Sequence, residues 1–213
     1  MSERASPRWL QWARELETIA QAGLTYSKSE YEIAHCKRIL GIVAEMVAAH
    51  SDLEASEAEK ILTLEEGYAT PKIDVRGAVF QDGKVLLVRE VLDEGRWTLP
   101  GGWGDIGYTP SENVEREVFE ESGLQVKAKK LAALYDRRKH VEDNTLWHIY
   151  KSFFICEVVG GELAPSFETS EVKWFAESEL PDETQISKGR SRKYHITRMF
   201  EHYKNPHLPT DFD

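Results

Sequence analysis

The most constraining feature of this chain is the segment 101–124, in which a glycine-rich loop leads into an acidic stretch with helical spacing: GGWGDIGYTPSENVEREVFEESGL. Glu117, Glu120 and Glu121 are spaced so that on a helix they share one face. Three crowded carboxylates repel one another unless a cation lies among them, and such hard oxygen ligands suit Mg²⁺ or Mn²⁺. Arg116 is placed to pair with one of them. The pattern indicates a divalent-metal site on a helix, with a solvated acidic face as the alternative.

Capping signals predict where this helix begins and ends. Thr109 is a typical N-cap, Pro110 suits the first helical position, and Glu112 completes a capping box. Gly123 suits the C-cap, where a left-handed backbone is needed. The expected buried side consists of Val114, Val118 and Phe119.

The same segment resembles the Nudix box, whose pattern is G-x5-E-x7-R-E-U-x-E-E-x-G-U with U aliphatic. Gly102 takes the first position, and the last block is matched by Arg116, Glu117, Val118, Glu120, Glu121, Gly123 and Leu124. Tyr108 stands where the pattern has its first Glu, a residue that normally braces the helix against the loop. In having a Tyr at this position, the chain resembles a branch of the family that carries a helical N-terminal extension.

The resemblance implies roles for the box residues. Glu117, Glu120 and Glu121 would bind Mg²⁺ or Mn²⁺, and Arg116 would orient them. The carbonyl of Gly101 could add a ligand, since glycine lets the backbone come close.

A general base must also deprotonate the attacking water. In the family this is a box Glu, such as Glu120, or a Glu from a loop after the main sheet. Glu168 and Glu171 are the loop candidates; either could equally be a solvated loop charge.

Phosphate groups need cationic partners, and the forked guanidinium of Arg suits them. Arg76 and Arg89 lie on predicted strands that should form the floor of the site. The one dense basic run contains Arg137, Arg138 and His140, and it could be either an anion clamp or a solvated hairpin tip. His140 could also have a purely structural role, as a lone His often does. Trp103, in the loop after Gly102, is the candidate for stacking on a base or ribose.

The rest of the chain reads as two parts. Residues 1–66 show helical periodicity, with a first helix ending near Gly23, a second capped by Ser29 and a third over 54–64. Such a layer has little core of its own, so it either packs on the catalytic domain or pairs with a second copy; the second helix has apolar residues on two flanks, which favours a homodimer. In the branch that the chain resembles, this extension contributes to dimerisation.

Residues 65–71 read as a linker, and 72–205 as the catalytic domain. Strands are predicted over 73–80, 84–89, 97–99, 126–135, 146–158 and 171–175, with a C-terminal helix around Ile196 and Phe200. The expected fold class is α/β: a Nudix α/β/α sandwich with a mixed sheet, plus a small all-helical N-terminal domain.

Charge and composition limit the partners. The net charge is −10, with 7 Lys/Arg against 12 Asp/Glu in residues 1–66, so neither half is basic. Broad nucleic-acid or membrane binding is therefore disfavoured, and no apolar run reaches the length of a membrane span. The N-terminus lacks a signal-peptide core, and Cys36 and Cys156 read as separate buried thiols, so we expect a cytoplasmic protein.

The leading hypothesis is a metal-dependent pyrophosphohydrolase that splits a nucleoside diphosphate linked to a group X, of the CDP-choline or ADP-ribose type, into a nucleoside monophosphate and phosphorylated X. The resemblance places the CDP-choline type slightly ahead. The alternatives are an RNA 3′-end nuclease-like activity, which the acidic charge disfavours, and a non-catalytic nucleotide-sensing module, which the retained box carboxylates disfavour.

Overall fold

The computed structural model describes residues 7–64, 66–141 and 145–213, which form two compact units. Within these ranges, the first unit holds residues up to Pro71 together with 145–148. The second holds Lys72–Val141 and Ile149–Asp213. No helix in the described ranges is long and apolar enough to cross a membrane.

The first unit is helical, as expected. It comprises α1 (Arg8–Tyr26), α2 (Glu30–Ala48) and α3 (Ala55–Leu62). Ser29 caps α2 by accepting a hydrogen bond from the amide of Glu32, which confirms the predicted helix start. The small core contains Ala13, Val43, Ala44, Val47, Ala58 and Leu62, and Leu146 packs against it.

Gly23 does not end the first helix, contrary to the sequence-based expectation. It lies inside α1, where its carbonyl accepts the amide of Ser27. A Cβ at this position would lie 2.4 Å from the Sγ of Cys36. The glycine is therefore required for the close approach of α1 and α2, not for a left-handed cap.

The second unit is built on one mixed sheet. Its strands are β1 (Lys72–Gln81), β2 (Lys84–Glu90), β3 (Arg96–Thr98), β4 (Leu124–Asp136), β5 (Ile149–Gly161), β6 (Thr169–Ala176) and β7 (Asp211–Phe212). The order is β3-β2-β1-β5-β4-β7, with β6 on β2; the β1–β5 and β4–β7 pairs are parallel and the other pairs antiparallel. The β1–β2 hairpin turns at Asp82 and Gly83, both with positive φ, as a type I′ turn requires.

Helices cover both faces of the sheet. One core lies between the sheet and α4 (Pro110–Ser122), around Val79, Val114 and Val118. The other lies between the sheet and α6 (Lys193–Lys204), around Phe153, Ile196 and Phe200. Two helical layers on one mixed sheet give the expected α/β/α sandwich.

Several local expectations need correction. β5 begins at Ile149 and not at 146, because residues 145–148 belong to the first unit. The expected hairpin tip after β4 is a single helical turn, α5 (Arg137–His140), capped by the side chain of Asp136. Phe119 is half-exposed, so the buried side of α4 is formed by Val114 and Val118 without it.

Candidate active site

The glycine-rich loop before α4 runs along the start of β1. The amides of Val75 and Gly77 each donate to a loop carbonyl, those of Gly102 and Pro100, at 2.8 Å. Gly101 lies between these contacts with φ +141°, and a Cβ there would be 2.0 Å from the backbone oxygen of Val75. Only glycine fits this close approach.

The predicted caps of α4 are all present. The hydroxyl of Thr109 accepts from the amide of Glu112, whose carboxylate in turn accepts from the amide of Thr109 at 2.8 Å. Gly123 ends the helix with φ +72°. The box helix therefore begins and ends where its sequence predicts, which sets the direction of its acidic face.

Glu121 is the most deeply placed carboxylate of that face. It is 3% exposed, and its Oε2 accepts the amide of Gly101 at 3.0 Å. Burial raises the pKa of Glu121 to about 8, opposed by the charge of Arg76. A buried carboxylate with this environment is suited to a cation, because a bound cation would favour its charged form.

Arg116 joins the other two box carboxylates. Its Nη2 donates to Glu117 at 2.8 Å and its Nη1 to Glu120 at 2.7 Å. The same Nη2 donates to Asp105, in the loop before α4, at 2.8 Å. Burial raises the pKa of Glu117 despite the charge of Arg116. Glu120 is the most exposed of the three carboxylates.

The donor set fits a hard divalent cation by its chemistry: three carboxylates on one helix face, two of them with raised pKa values. Across residues 7–64, 66–141 and 145–213, however, no three acidic, His or Cys side chains converge closely enough to enclose an ion. Arg116 holds Glu117 and Glu120 at one guanidinium through its two hydrogen bonds.

An ionic cluster lies beneath this face, on β1 and β5. Asp74 accepts from Nε and Nη2 of Arg76 at 2.8 Å and pairs with Lys151 at 3.0 Å. Burial alone would raise the pKa of Asp74, but Arg76 and Lys151 together lower it to about 2. Arg76 is 2% exposed, so the structure places this candidate substrate contact in the interior, where its charge acts on Glu121.

Glu90 is a buried carboxylate that the sequence analysis missed. It ends β2, and its Oε1 lies 2.7 Å from Nη1 of Arg190. Burial raises the pKa of Glu90, and Glu168 adds to the rise. Glu90 also raises the pKa of Glu121, so these three carboxylates share one electrostatic environment. The available signal was a charged residue closing the apolar run of β2.

The two loop candidates for the general base differ in their contacts. Glu168 precedes β6; its amide donates to the hydroxyl of Ser166, and its carbonyl accepts from Val91. Glu171 lies on β6 and pairs with Arg89 at 3.4 Å, while Nε of Arg89 donates to the carbonyl of Gly95 at 2.7 Å. Of the two, Glu168 is the one whose charge acts on Glu90, which in turn acts on Glu121.

The basic turn α5 is held by local contacts. Arg138 donates to Asp136 at 3.0 Å, and Nε of Arg137 to the carbonyl of Gly189 at 3.2 Å. His140 stacks on Tyr135 and contacts Asp213 at 2.8 Å.

Trp103 lies in the glycine-rich loop, forms a β-bridge with Asp74 and is 45% exposed. In the sheet, Asp74 of β1 stands opposite Lys151 near the start of β5. The neighbouring residue of β5, Tyr150, stands opposite Asp136, which immediately precedes α5. Trp103 and α5 therefore lie at the same end of the sheet.

Two family profiles match this chain. One, described as "NUDIX domain", covers residues 71–200. The other, described as "UDP-X-like, N-terminal oligomerisation domain", covers residues 7–62. Together they span most of both units.

Two similar proteins match nearly the whole chain, and a third matches about two thirds of it. The chain is 37% identical over 210 residues, 99% of both chains, to a Bacillus subtilis (strain 168) protein named "Putative ADP-ribose pyrophosphatase YjhB". A crystal structure of a UDP-X diphosphatase has a TM-score of 0.61 at 29% identity, covering 96% of this chain and 98% of that one. A Streptococcus suis 89-1591 ADP-ribose pyrophosphatase has a TM-score of 0.60 at 36% identity, covering 68% of this chain and 100% of that one.

Proposed function

The chain belongs to the Nudix family of hydrolases, and we propose that it hydrolyses the diphosphate of a nucleoside diphosphate linked to a further group, with Mg²⁺ or Mn²⁺ as its cofactor. The observation that carries this proposal is the acidic face of α4. On this face the buried carboxylate of Glu121 accepts a hydrogen bond from a loop amide. Two further carboxylates, those of Glu117 and Glu120, accept from the guanidinium of Arg116.

The substrate class follows from the relatives and the charge of the site. The names of the similar proteins refer to ADP-ribose and to UDP-X, so compounds of these two kinds take precedence over CDP-choline. A diphosphate linkage repels an attacking water or hydroxide unless cations offset its charge. The site would need its divalent metal for this reason, in a chain whose net charge is −10.

Each box residue has a role in the proposal. Glu117, Glu120 and Glu121 would hold the metal, which would supply charge neutralisation and an activated water when bound. Arg116 orients Glu117 and Glu120 through its two hydrogen bonds. The carbonyl of Gly101 is the candidate for a further ligand, supported by the contact of its own amide with Glu121.

Glu168 is the candidate general base outside the box, because it shares its electrostatic environment with Glu90 and, through Glu90, with Glu121. Glu120 is the alternative within the box, being exposed to solvent on the metal-binding face. Glu171 ranks lower, since its carboxylate pairs with Arg89. Glu168→Gln and Glu120→Gln, compared in their pH–rate profiles, would distinguish the two leading candidates.

The phosphates and the nucleoside would contact groups around the same end of the sheet. Trp103, with 45% exposure, offers a ring for stacking, and the α5 residues Arg137, Arg138 and His140 offer cationic or polar groups. Arg138 would have to leave Asp136 to bind phosphate. Arg89 remains a candidate at the β2–β6 pair, whereas Arg76 is better placed to support Glu121 than to touch substrate.

The test is a turnover assay with the purified full chain. ADP-ribose, UDP-sugars, CDP-choline, a nucleoside triphosphate and a short RNA are incubated with Mg²⁺, with Mn²⁺ or with chelator, and the products are separated by chromatography. We expect metal-dependent release of a nucleoside monophosphate from one or more diphosphate esters. Nucleotides trimmed from RNA alone, or binding without turnover, would contradict the proposal.

A matched pair of variants tests the site assignment. Glu120→Gln is expected to abolish metal-dependent turnover while leaving the fold intact, because it removes a proposed ligand charge from an exposed position. Glu157→Gln is the control: this carboxylate is also exposed and paired, with Lys129 at 2.9 Å, but lies on β5 outside the site. Undiminished activity of Glu120→Gln would remove Glu120 from the metal site.

We also propose that the chain is a homodimer formed through its helical unit. Trp12, Ile19 and Tyr26 recur every seven residues along α1 and are all exposed, which gives α1 an apolar stripe suited to a second helix. The family description of residues 7–62 as an oligomerisation domain supports this arrangement. A stripe of this kind is otherwise unfavourable in water.

Light scattering after size-exclusion chromatography tests the dimer. The wild type is expected at about twice the chain mass of 24.4 kDa, and Ile19→Glu at the monomer mass. Leu64→Glu is the control, since it also places a charge at an exposed apolar position of this unit but outside α1. A dimeric Ile19→Glu protein would refute the α1 interface.

A further inference from the structure

The position where the Nudix box has its first Glu holds Tyr108 here, and the ring of Tyr108 lies beside Arg116. The guanidinium carbon is 5.6 Å from the ring centroid, which is within cation–π range. A phenol ring cannot supply the negative charge that a Glu would bring to Arg116. An anion elsewhere in the loop would have to take that place beside Arg116.

Asp105 supplies that anion from three residues earlier in the loop. Its Oδ2 accepts Nη2 of Arg116 at 2.8 Å, the same nitrogen that donates to Glu117. Asp105 is anchored to α4 by its backbone: its amide donates to Oδ1 of Asn113 at 3.0 Å, and its carbonyl accepts Nδ2 of Asn113 at 3.1 Å. The side chain of Asn113 is buried, which makes this anchor rigid.

We propose that Asp105 is the positioning residue of this site: it replaces the Glu that the box lacks at position 108 and fixes Arg116 so that Glu117 and Glu120 face the metal. Tyr108 supports the same guanidinium through its ring. The proposal rests on the proposed function for the identity of the metal-binding face.

The geometry explains why one carboxylate at this place matters. Arg116 contacts Glu117 and Glu120, and both contacts hold it only to its own helix. The bond to Asp105 is the ionic contact between the guanidinium and the loop, and it acts across the helix face. Without it, Arg116 can follow the two carboxylates as they rotate, and their spacing is no longer fixed.

The decisive measurement is direct Mn²⁺ binding by calorimetry, with no substrate present, alongside Mn²⁺-dependent turnover. Asp105→Asn is expected to weaken Mn²⁺ binding by about 10- to 100-fold, the usual effect of removing a group that orients metal ligands. Because the Asp105 side chain is 59% exposed, the variant should keep its fold, which its melting temperature will verify. Glu157→Gln, with 64% exposure and an ion pair of 2.9 Å, is the control and should bind as the wild type does.

A rescue experiment separates this role from a general loss of charge. Tyr108→Glu places a carboxylate at the position that the box prescribes, next to the same guanidinium. In the double variant Asp105→Asn/Tyr108→Glu, Mn²⁺ affinity should return to within about 3-fold of the wild type, if the two positions are interchangeable.

The outcomes are distinct. Wild-type Mn²⁺ affinity in Asp105→Asn would overturn the proposal, and so would a double variant as weak as Asp105→Asn alone. Loss in the single variant with recovery in the double would support it. If the wild type binds Mn²⁺ but hydrolyses none of the diphosphate esters, the proposed function fails while these binding comparisons still decide the role of Asp105.

Discussion

A buried histidine in the second unit gives a stability prediction with a calculable size. His195, on α6, is fully buried among the rings of Tyr135, Phe153 and His140. Burial, together with the nearby charges of His140, Lys151 and Arg192, lowers the pKa of His195 to about 3. The imidazole is therefore neutral in the folded protein throughout the neutral and mildly acidic range.

The sign of the pH effect follows from proton linkage. In the unfolded chain the same residue has its ordinary pKa of about 6.5, so below that pH the unfolded state binds a proton that the folded state does not. The contribution of His195 to the free energy of unfolding is thus fully present above pH 6.5 and is lost as the pH falls toward 3. Between pH 7.5 and 5.0 the loss should be about 2 kcal/mol.

The assay compares urea unfolding of the wild type and His195→Phe at pH 7.5, 6.5, 5.5 and 5.0, followed by circular dichroism. Phe suits the aromatic surroundings, but it cannot accept the hydrogen bond that the amide of Arg192 donates to Nδ1 of His195. The free energy of unfolding of the variant is therefore expected to be lower by a constant amount of about 1 kcal/mol at every pH. The informative quantity is the difference between the two pH profiles, because other groups titrate in both proteins. That difference should change by about 2 kcal/mol across the range.

His207→Gln is the control, since His207 is an exposed histidine of the same unit. It should leave the profile parallel to that of the wild type. Parallel profiles for the wild type and His195→Phe would refute the conclusion that His195 is held neutral by burial.

Three further substitutions have expected outcomes of different kinds. Glu121→Gln should remove metal-dependent turnover yet keep the free energy of unfolding at pH 7 within about 1 kcal/mol of the wild type, because the amide oxygen can still accept from Gly101; urea unfolding and the turnover assay check this. Asp74→Asn leaves Arg76 and Lys151 buried without their carboxylate and should cost about 3–5 kcal/mol in urea unfolding. Gly101→Ala should cost about 1–3 kcal/mol and lower the melting temperature, since its Cβ would collide with a backbone oxygen of β1.

The parts of the fold that followed from sequence are those with local causes. The caps of α4 depend on residues within one turn of each helix end, so Thr109 and Gly123 were predictable. The β1–β2 turn depends on two residues with positive φ, so Asp82 and Gly83 were predictable as well. The acidic face of α4 follows from the helical period alone.

Contacts between distant segments were not predictable in the same way. Asp74 meets Lys151 only because β1 and β5 are parallel neighbours, and Glu90 meets Arg190 across 99 intervening residues. Gly23 looked like a helix end because its role, space for the Sγ of Cys36, depends on another helix. A partial signal did exist, since acidic residues that interrupt or close apolar strands require a buried partner.

Two ionic clusters at the box hold it in different ways, and this separates stability from activity. The loop backbone is fixed by hydrogen bonds to β1 and by the buried pair of Asp74 and Arg76, so perturbing that cluster should first destabilise the fold. The orientation of the box carboxylates depends instead on the partly exposed contacts of Arg116 with Glu120 and Asp105, which contribute little to stability because solvent screens them. Substitution at Asp105 should therefore weaken metal binding in a protein whose unfolding is unchanged, whereas substitution at Asp74 should change both. The resemblance in sequence defines which residues form the box, but only the structure shows that Asp105 contacts Arg116 in a chain without the box Glu at position 108.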